Sequence, residues 1–180
     1  AAHDKLASYA AAIGVQVADD LWPLVERDWA DWVDKALAGQ ERNRLGWLGA
    51  ITARDLAHLQ AAGISPQTAE VMVRPGLIHG PKAKRHLDDG NTLASEQWRG
   101  LPGLWRRAVA LLVDTKSGKP LWLLPGADGR TPQLAVEVDF ATGRPKRVTN
   151  AAVSAYTVTL QEMKNRLDAG NAKLLWGSLE

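Results

Sequence analysis

Three tight turns divide the middle of this chain into runs of strand length, and this pattern constrains the fold more than any other feature. Residues 108–115 and 120–124 are two apolar runs separated by a short polar turn. Apolar and polar side chains alternate over residues 133–140, and a last long strand covers residues 146–158. Because the turns are short, each strand is expected beside its predecessor. The sequence therefore predicts a four-stranded antiparallel β-meander.

Helical patterns flank this meander. Apolar residues recur with helical spacing through Leu21, Trp29 and Trp32 until Gly39 ends the helix, and a second helix runs from Thr52 towards residue 63. A further helix follows over residues 160–167. We therefore predict an α+β fold with N-terminal helices, the β-meander and a C-terminal helix. The predicted divisions are a helical N-terminal region (1–64), an α+β domain (65–170) and a C-terminal tail (171–180).

Composition excludes several classes of protein. The sequence has no cysteine, which excludes disulfides, thiolate nucleophiles and cysteine-ligated zinc. No stretch approaches the ~20 apolar residues of a membrane span, and no signal-like segment opens the chain, so we expect a cytoplasmic protein. The net charge of +2 is uneven, because residues 1–73 sum to −4 and residues 74–150 to +6. A basic middle segment is compatible with a polyanion partner or with a solvated face that binds nothing.

The familiar catalytic motifs are missing. The four histidines lack metal-ligand spacing, the glycines occupy turns instead of phosphate-binding loops, and no Gly-x-Ser-x-Gly occurs. We predict neither a metal nor a cofactor. His79 and His86 are two helical turns apart with Lys82 between them, so a helix would place them on one side. Histidine can transfer protons and cations can stabilise phosphate, which suits metal-free RNA cleavage by the 2′-hydroxyl. Against this, an isolated histidine is usually a surface or core residue without a catalytic role.

A second polar cluster lies on the last predicted strand. Thr149 and Ser154 are hydroxyl residues that could bind a scissile phosphate, although β-propensity alone also explains a threonine there. Arg144 and Lys146 precede them, and Arg107 precedes the first strand of the meander. These cations are candidate substrate-binding residues, or simply solvated charges.

Short strings in this order resemble a known family. The strings are Leu-Ile-His-Gly-Pro-Lys-Ala-Lys-Arg-His (77–86), Ala-Val-Ala-Leu-Leu-Val-Asp-Thr (108–115) and Val-Thr-Asn-Ala-Ala-Val-Ser (148–154). They resemble the C-terminal domain of phage Mu F-type head proteins, which is similar to barnase, EndoU, colicin and RelE-like ribonuclease toxins. The resemblance covers about residues 66–168. It implies an RNA-cleaving domain in which His79 and a hydroxyl, Thr149 or Ser154, match site positions and Lys84 and Arg85 match cations.

The leading prediction is a toxin-like, metal-independent endoribonuclease that acts by 2′-hydroxyl transesterification. Its predicted catalytic residues are His79, His86, Arg85, Thr149 and Ser154, and its predicted substrate-binding residues are Lys82, Lys84, Arg107, Arg144 and Lys146. The expected partners are RNA, an immunity protein and a phage head or delivery protein, in the cytoplasm of a bacterial host or target cell or on a virion. The alternative is a non-catalytic phage head or delivery protein that binds a partner through its Trp-rich helix. ADP-ribosyl transfer, suggested by Glu137-Val138-Asp139, is a weaker third possibility.

Overall fold

A computed structural model describes residues 14–142 and 147–179 of the chain. Its elements are, in order, α1 (Trp22–Leu37), β1 (Gly46–Ala50), α2 (Ala53–Ala61), β2 (Glu70–Val73), a 3-10 turn (Pro75–Leu77), α3 (Pro81–Asp88), α4 (Ser95–Arg99), α5 (Leu101–Arg106), β3 (Ala110–Asp114), β4 (Pro120–Leu123), β5 (Arg130–Thr142), β6 (Arg147–Thr159), α6 (Leu160–Asp168) and β7 (Ala172–Gly177). Residues 14–20 are also helical and lead into α1 through a turn at Leu21.

Within these described ranges, seven strands form one mixed sheet. The strand order is β1-β2-β6-β5-β4-β3-β7. Neighbouring strands are antiparallel except β2 and β6, which are parallel with Val71 opposite Asn150 and Val73 opposite Ala152. The sheet therefore joins strands from the beginning, the middle and the end of the chain.

The predicted fold class is wrong, because the sheet is a seven-stranded mixed sheet instead of a four-stranded antiparallel meander. Gly46 and Gly49 are two of the five residues of β1, and glycine weakens the sequence signal of a strand. The strand β7 lies in a segment interpreted as a tail. The parallel pair of β2 and β6 joins distant residues, which a local pattern does not reveal. The division of the chain at residues 64 and 170 stays a prediction.

Four helices cover one face of the sheet. Buried side chains of α1, α2, α4 and α5 pack there against strand residues that include Val71, Leu111 and Trp122. Two indole N–H groups of α1 find backbone acceptors, since Trp29 donates to the carbonyl oxygen of Trp98 at 2.6 Å and Trp32 to that of Arg44 at 2.8 Å. The tryptophan stripe of α1 is thus part of the protein's own core.

The described residues cover the opposite face of the sheet over only part of its width. Met163 of α6 packs there against strands β3 to β7, and no described residue of β1 or β2 belongs to this second cluster. Side chains alternate along a strand. Because Val71 and Val73 are buried on the helix-covered face, Glu70 and Met72 lie on the opposite face. We call this uncovered part the open face, and its residues are Leu45, Trp47, Glu70, Met72, Arg74, Phe140, Arg147 and Thr149.

Candidate functional site

The open face contains a shallow recess of about 490 Å³. Its lining residues come from the segment before β1 and from β2 and β6, namely Asn43, Leu45, Glu70, Met72, Arg147, Val148 and Thr149. A smaller hollow adjoins it and is lined by Leu45, Met72, Arg74, Phe140, Thr149 and Ala151. The two hollows share three residues, so they form one continuous surface.

Apolar groups and guanidinium groups alternate on this surface. Arg74 and Arg147 are exposed, whereas Met72 and Phe140 are half-buried. The guanidinium carbon of Arg74 lies 5.1 Å from the centroid of the Phe140 ring, which is within the range of a cation–π contact. Glu70 is the half-buried acidic residue of the recess. Such a surface suits a partner that brings aliphatic side chains and carboxylates.

Asn150 fixes the strands beneath the open face. Its side chain is fully buried and donates hydrogen bonds to the carbonyl oxygens of Thr68 and Glu70 at 2.7 and 2.9 Å. Its amide oxygen accepts the backbone N–H of Asp139 at 3.1 Å. Asp139 has a φ of 56° and lies in an irregular stretch of β5, after which Phe140 pairs with Thr149. One side chain therefore holds β2, β5 and β6 in the register that forms the recess.

The predicted histidines lie away from this recess. The ring of His86 stacks on Tyr156 with centroids 4.7 Å apart, and its Nδ1 lies 3.1 Å from Oδ1 of Asn91. Tyr156 follows Thr149 by seven residues of strand, which corresponds to about 20 Å. His79 is exposed and lies beside Gly39, where an added methyl group would be 3.4 Å from Nε2. The sequence placed both histidines on one side of a helix. In the structure they lie in two separate environments.

The other predicted site residues are spread over the molecule. Lys84 and Arg85 are exposed on α3, and Arg107 is exposed just before β3. Ser154 is half-buried on β6, where it pairs with Ala135 after a register shift. Arg144, Lys146 and the side chain of Lys82 lie outside the described residues. Of the predicted catalytic set, the open face contains Thr149 alone, and the catalytic assignments stay predictions.

Thr149 has little freedom to act on a substrate. It is 6% exposed, and its hydroxyl makes only a long contact of 3.5 Å with the carbonyl oxygen of Asn150. The described residues contain no group of three or more His, Asp or Glu side chains that could hold a metal ion. In the same residues, no helix is long and apolar enough to cross a membrane. The arrangement on the open face is suited to binding.

Sequence reasoning missed Met72, Arg74 and Phe140 as surface residues. A signal existed in β2, because Val71 and Val73 alternate with Glu70, Met72 and Arg74. This alternation predicts a strand with two different faces. It did not reveal that, among the described residues, no helix covers the second face at β2, since that depends on where α6 packs.

A curated protein from Haemophilus influenzae, the Mu-like prophage FluMu F protein, is similar to this chain. The two are 26% identical over 155 residues, which cover 83% of this chain. The chain spans 37% of the length of that relative. No protein-family model matches the chain. No solved structure matches it either.

This similarity supports a phage-related family for the chain. It agrees with the phage part of the resemblance seen in the sequence. The nuclease part receives no support from these comparisons.

Proposed function

We propose that this chain is a non-catalytic, phage-particle-associated protein that binds another protein through its open face. The similarity to a Mu-like prophage F protein supports the association with a phage. The observation that carries the binding function is the recess of about 490 Å³ on a part of the sheet that no helix of the described residues covers. Half-buried apolar groups next to exposed guanidinium groups are typical of protein-binding surfaces.

The open face is a better candidate for this role than the tryptophans of α1. Trp29 and Trp32 are each 1% exposed and belong to the main core. A partner could not reach them without unfolding the protein. The proposal therefore retains the binding function predicted from the sequence and moves the binding surface to the other side of the sheet.

Co-sedimentation with purified particles of a Mu-like phage tests this function. We expect the purified wild-type chain to sediment with the particles, and Arg147→Glu to sediment at least about tenfold less, because it reverses a charge on the open face. Lys173→Glu is the matched control, since this exposed residue of β7 lies at the opposite edge of the sheet. Equal sedimentation of both variants, or none of the wild type, would contradict the proposal.

Metal-independent RNA cleavage is the second candidate. The observation that favours it is that Thr149 and Arg147 line one recess, where a cation and a hydroxyl could contact a phosphate. The distance between His86 and this recess weakens the case for cleavage, because a general base must lie within hydrogen-bond reach of the proton that it removes from the substrate. Incubation of total RNA with micromolar protein in EDTA tests for metal-independent cleavage. RNA that stays intact would rule out this candidate. His79→Ala is then expected to leave particle binding unchanged.

A further inference from the structure

We infer that the protein bound by the open face is a second copy of this chain, which presents one flank of its N-terminal helix. This inference rests on the proposed function of the open face and names its partner. It arises from a second exposed patch on the same molecule, whose chemistry matches that of the open face.

Three exposed aliphatic residues form this second patch. Val17, Leu21 and Leu24 are 41%, 43% and 37% exposed. They are spaced four and three residues apart, so they lie along one flank of the helical segment, and Asp28 and Asp31 continue the same spacing. All five belong to what we call the helix flank. Its direction differs from that of the buried stripe that packs on the sheet, which consists of Val25, Trp29 and Trp32.

The charges of the two patches are complementary. Residues 14–37 contain six acidic and two basic residues, and Asp31 has no ion pair within the described ranges. The open face presents the exposed Arg74 and Arg147, whereas Glu70, at the start of β2, is half-buried. Leucine side chains of the helix flank can enter the recess while its aspartates approach these arginines. Complementary charge of this kind sets orientation and speeds association.

The two patches cannot meet within one molecule. The helix α1 packs on the covered side of the sheet, whereas the open face is on the other side. The sheet itself therefore separates them, and contact requires a second copy. Because the two patches differ, the contact is head-to-tail, and repeated contacts produce a ring or a filament.

Sedimentation velocity on the full chain tests this inference. We expect the wild type to form species larger than a dimer as its concentration rises, and less so in high salt. Leu21→Arg damages the helix flank, and Arg147→Glu damages the open face, so each variant alone should remain a monomer. Both positions are exposed, so the fold should be retained, which circular dichroism checks. Leu87→Arg on α3 is the control and should assemble like the wild type, because Leu87 is 64% exposed and outside both patches.

A mixture of the two damaged variants gives the sharpest result. Arg147→Glu retains its helix flank and Leu21→Arg retains its open face, so equal amounts should form a one-to-one dimer that grows no further. A wild type that stays monomeric up to ~200 µM, well above a micromolar Kd, would overturn the inference. So would a single variant that still assembles, or a mixture that stays monomeric. If the wild type is monomeric but Arg147→Glu still loses particle binding, the proposed function stands with another partner.

Discussion

Asp55 is 3% exposed and is bound by two tryptophans that are distant from it in sequence. Its carboxylate accepts the indole N–H of Trp122 at 2.9 Å and that of Trp176 at 2.7 Å. Its backbone N–H is in turn bound by the hydroxyl of Thr52, which caps α2. The guanidinium of Arg54 covers the ring of Trp176. At the scale of single residues, this carboxylate links α2 to β4 and β7.

Asp55→Asn is expected to lower the free energy of unfolding by about 1–3 kcal/mol. The two indole N–H groups bind different carboxylate oxygens, and an amide retains only one of these oxygens, so its N–H₂ would face the other donor. Urea denaturation followed by circular dichroism measures the change. Asp168→Asn, exposed at the end of α6 and outside both patches, serves as the control, with an expected effect within about 0.5 kcal/mol. Equal stability of the two variants would show that Asp55 does not link these elements.

Asp114 at the end of β3 provides a pH-dependent contribution to stability. Burial raises the pKa of its carboxyl group. Hydrogen bonds lower this pKa more, and they come from the backbone N–H groups of Ser117 and Lys116, from the Ser117 hydroxyl and from the Arg166 guanidinium. The net pKa is therefore below the usual value of 3.8. A lowered pKa means that the contribution is complete above the unfolded-state pKa and is lost as the pH falls through the folded-state pKa.

Asp114→Asn is therefore expected to lose less stability than the wild type when the pH falls from about 5 to about 3. Urea unfolding at a series of pH values measures this difference. The exposed Asp168→Asn is the comparison and should follow the wild-type profile. If the stability of Asp114→Asn fell with pH as steeply as that of the wild type, Asp114 would not be the source of this pH dependence.

At the scale of elements, Asn150 decides whether the open face exists in its observed form. Asn150→Ala removes three hydrogen bonds and leaves the backbone groups of Thr68, Glu70 and Asp139 without their partner. We expect a loss of about 2–4 kcal/mol in the free energy of unfolding, with faster amide hydrogen exchange in β2 and in the bulged part of β5. Asn165→Ala, at an exposed position of α6, should have little effect. Unchanged exchange in β2 would refute this role of Asn150.

The elements differ in how far their sequence specified them. The turn after β3 is local, since Asp114 accepts the N–H groups of Lys116 and Ser117 at 2.8 Å, and the short connection places β4 beside β3. The start of α6 is local too, because Thr159 and Glu162 form a capping box. Such contacts lie within a few residues, and sequence patterns reveal them.

Non-local contacts escaped prediction. The strand β1 owes its place to Trp32, which packs on Gly46 so closely that a Cβ atom there would lie 2.6 Å from the indole ring. Asn150 appeared as one polar residue of a strand, while two of the three partners of its side chain lie 80 and 82 positions away. The site predicted around the histidines stays a prediction, whereas the recess depends on which part of the sheet α6 leaves uncovered.

At the scale of the whole molecule, the sheet separates two different surfaces. One side carries the helices, with an acidic and aliphatic flank, and the other carries the open face with its exposed arginines. A protein with two unlike patches on opposite sides can join its neighbours in a series. Such joining is consistent with a role in a phage particle.

A photo-cross-linker introduced in place of Asn43 tests the central claim most directly, because this exposed, uncharged residue lines the recess and its replacement retains Arg74 and Arg147. The labelled chain is bound to purified particles of a Mu-like phage, irradiated and analysed by mass spectrometry, with the same label at Leu174 of β7 as the control. We predict an adduct between position 43 and a particle protein, with a linked peptide from residues 14–37 where the partner is a second copy, and no adduct from position 174. Absence of adducts at 43, or equal labelling from both positions, would contradict binding through the open face.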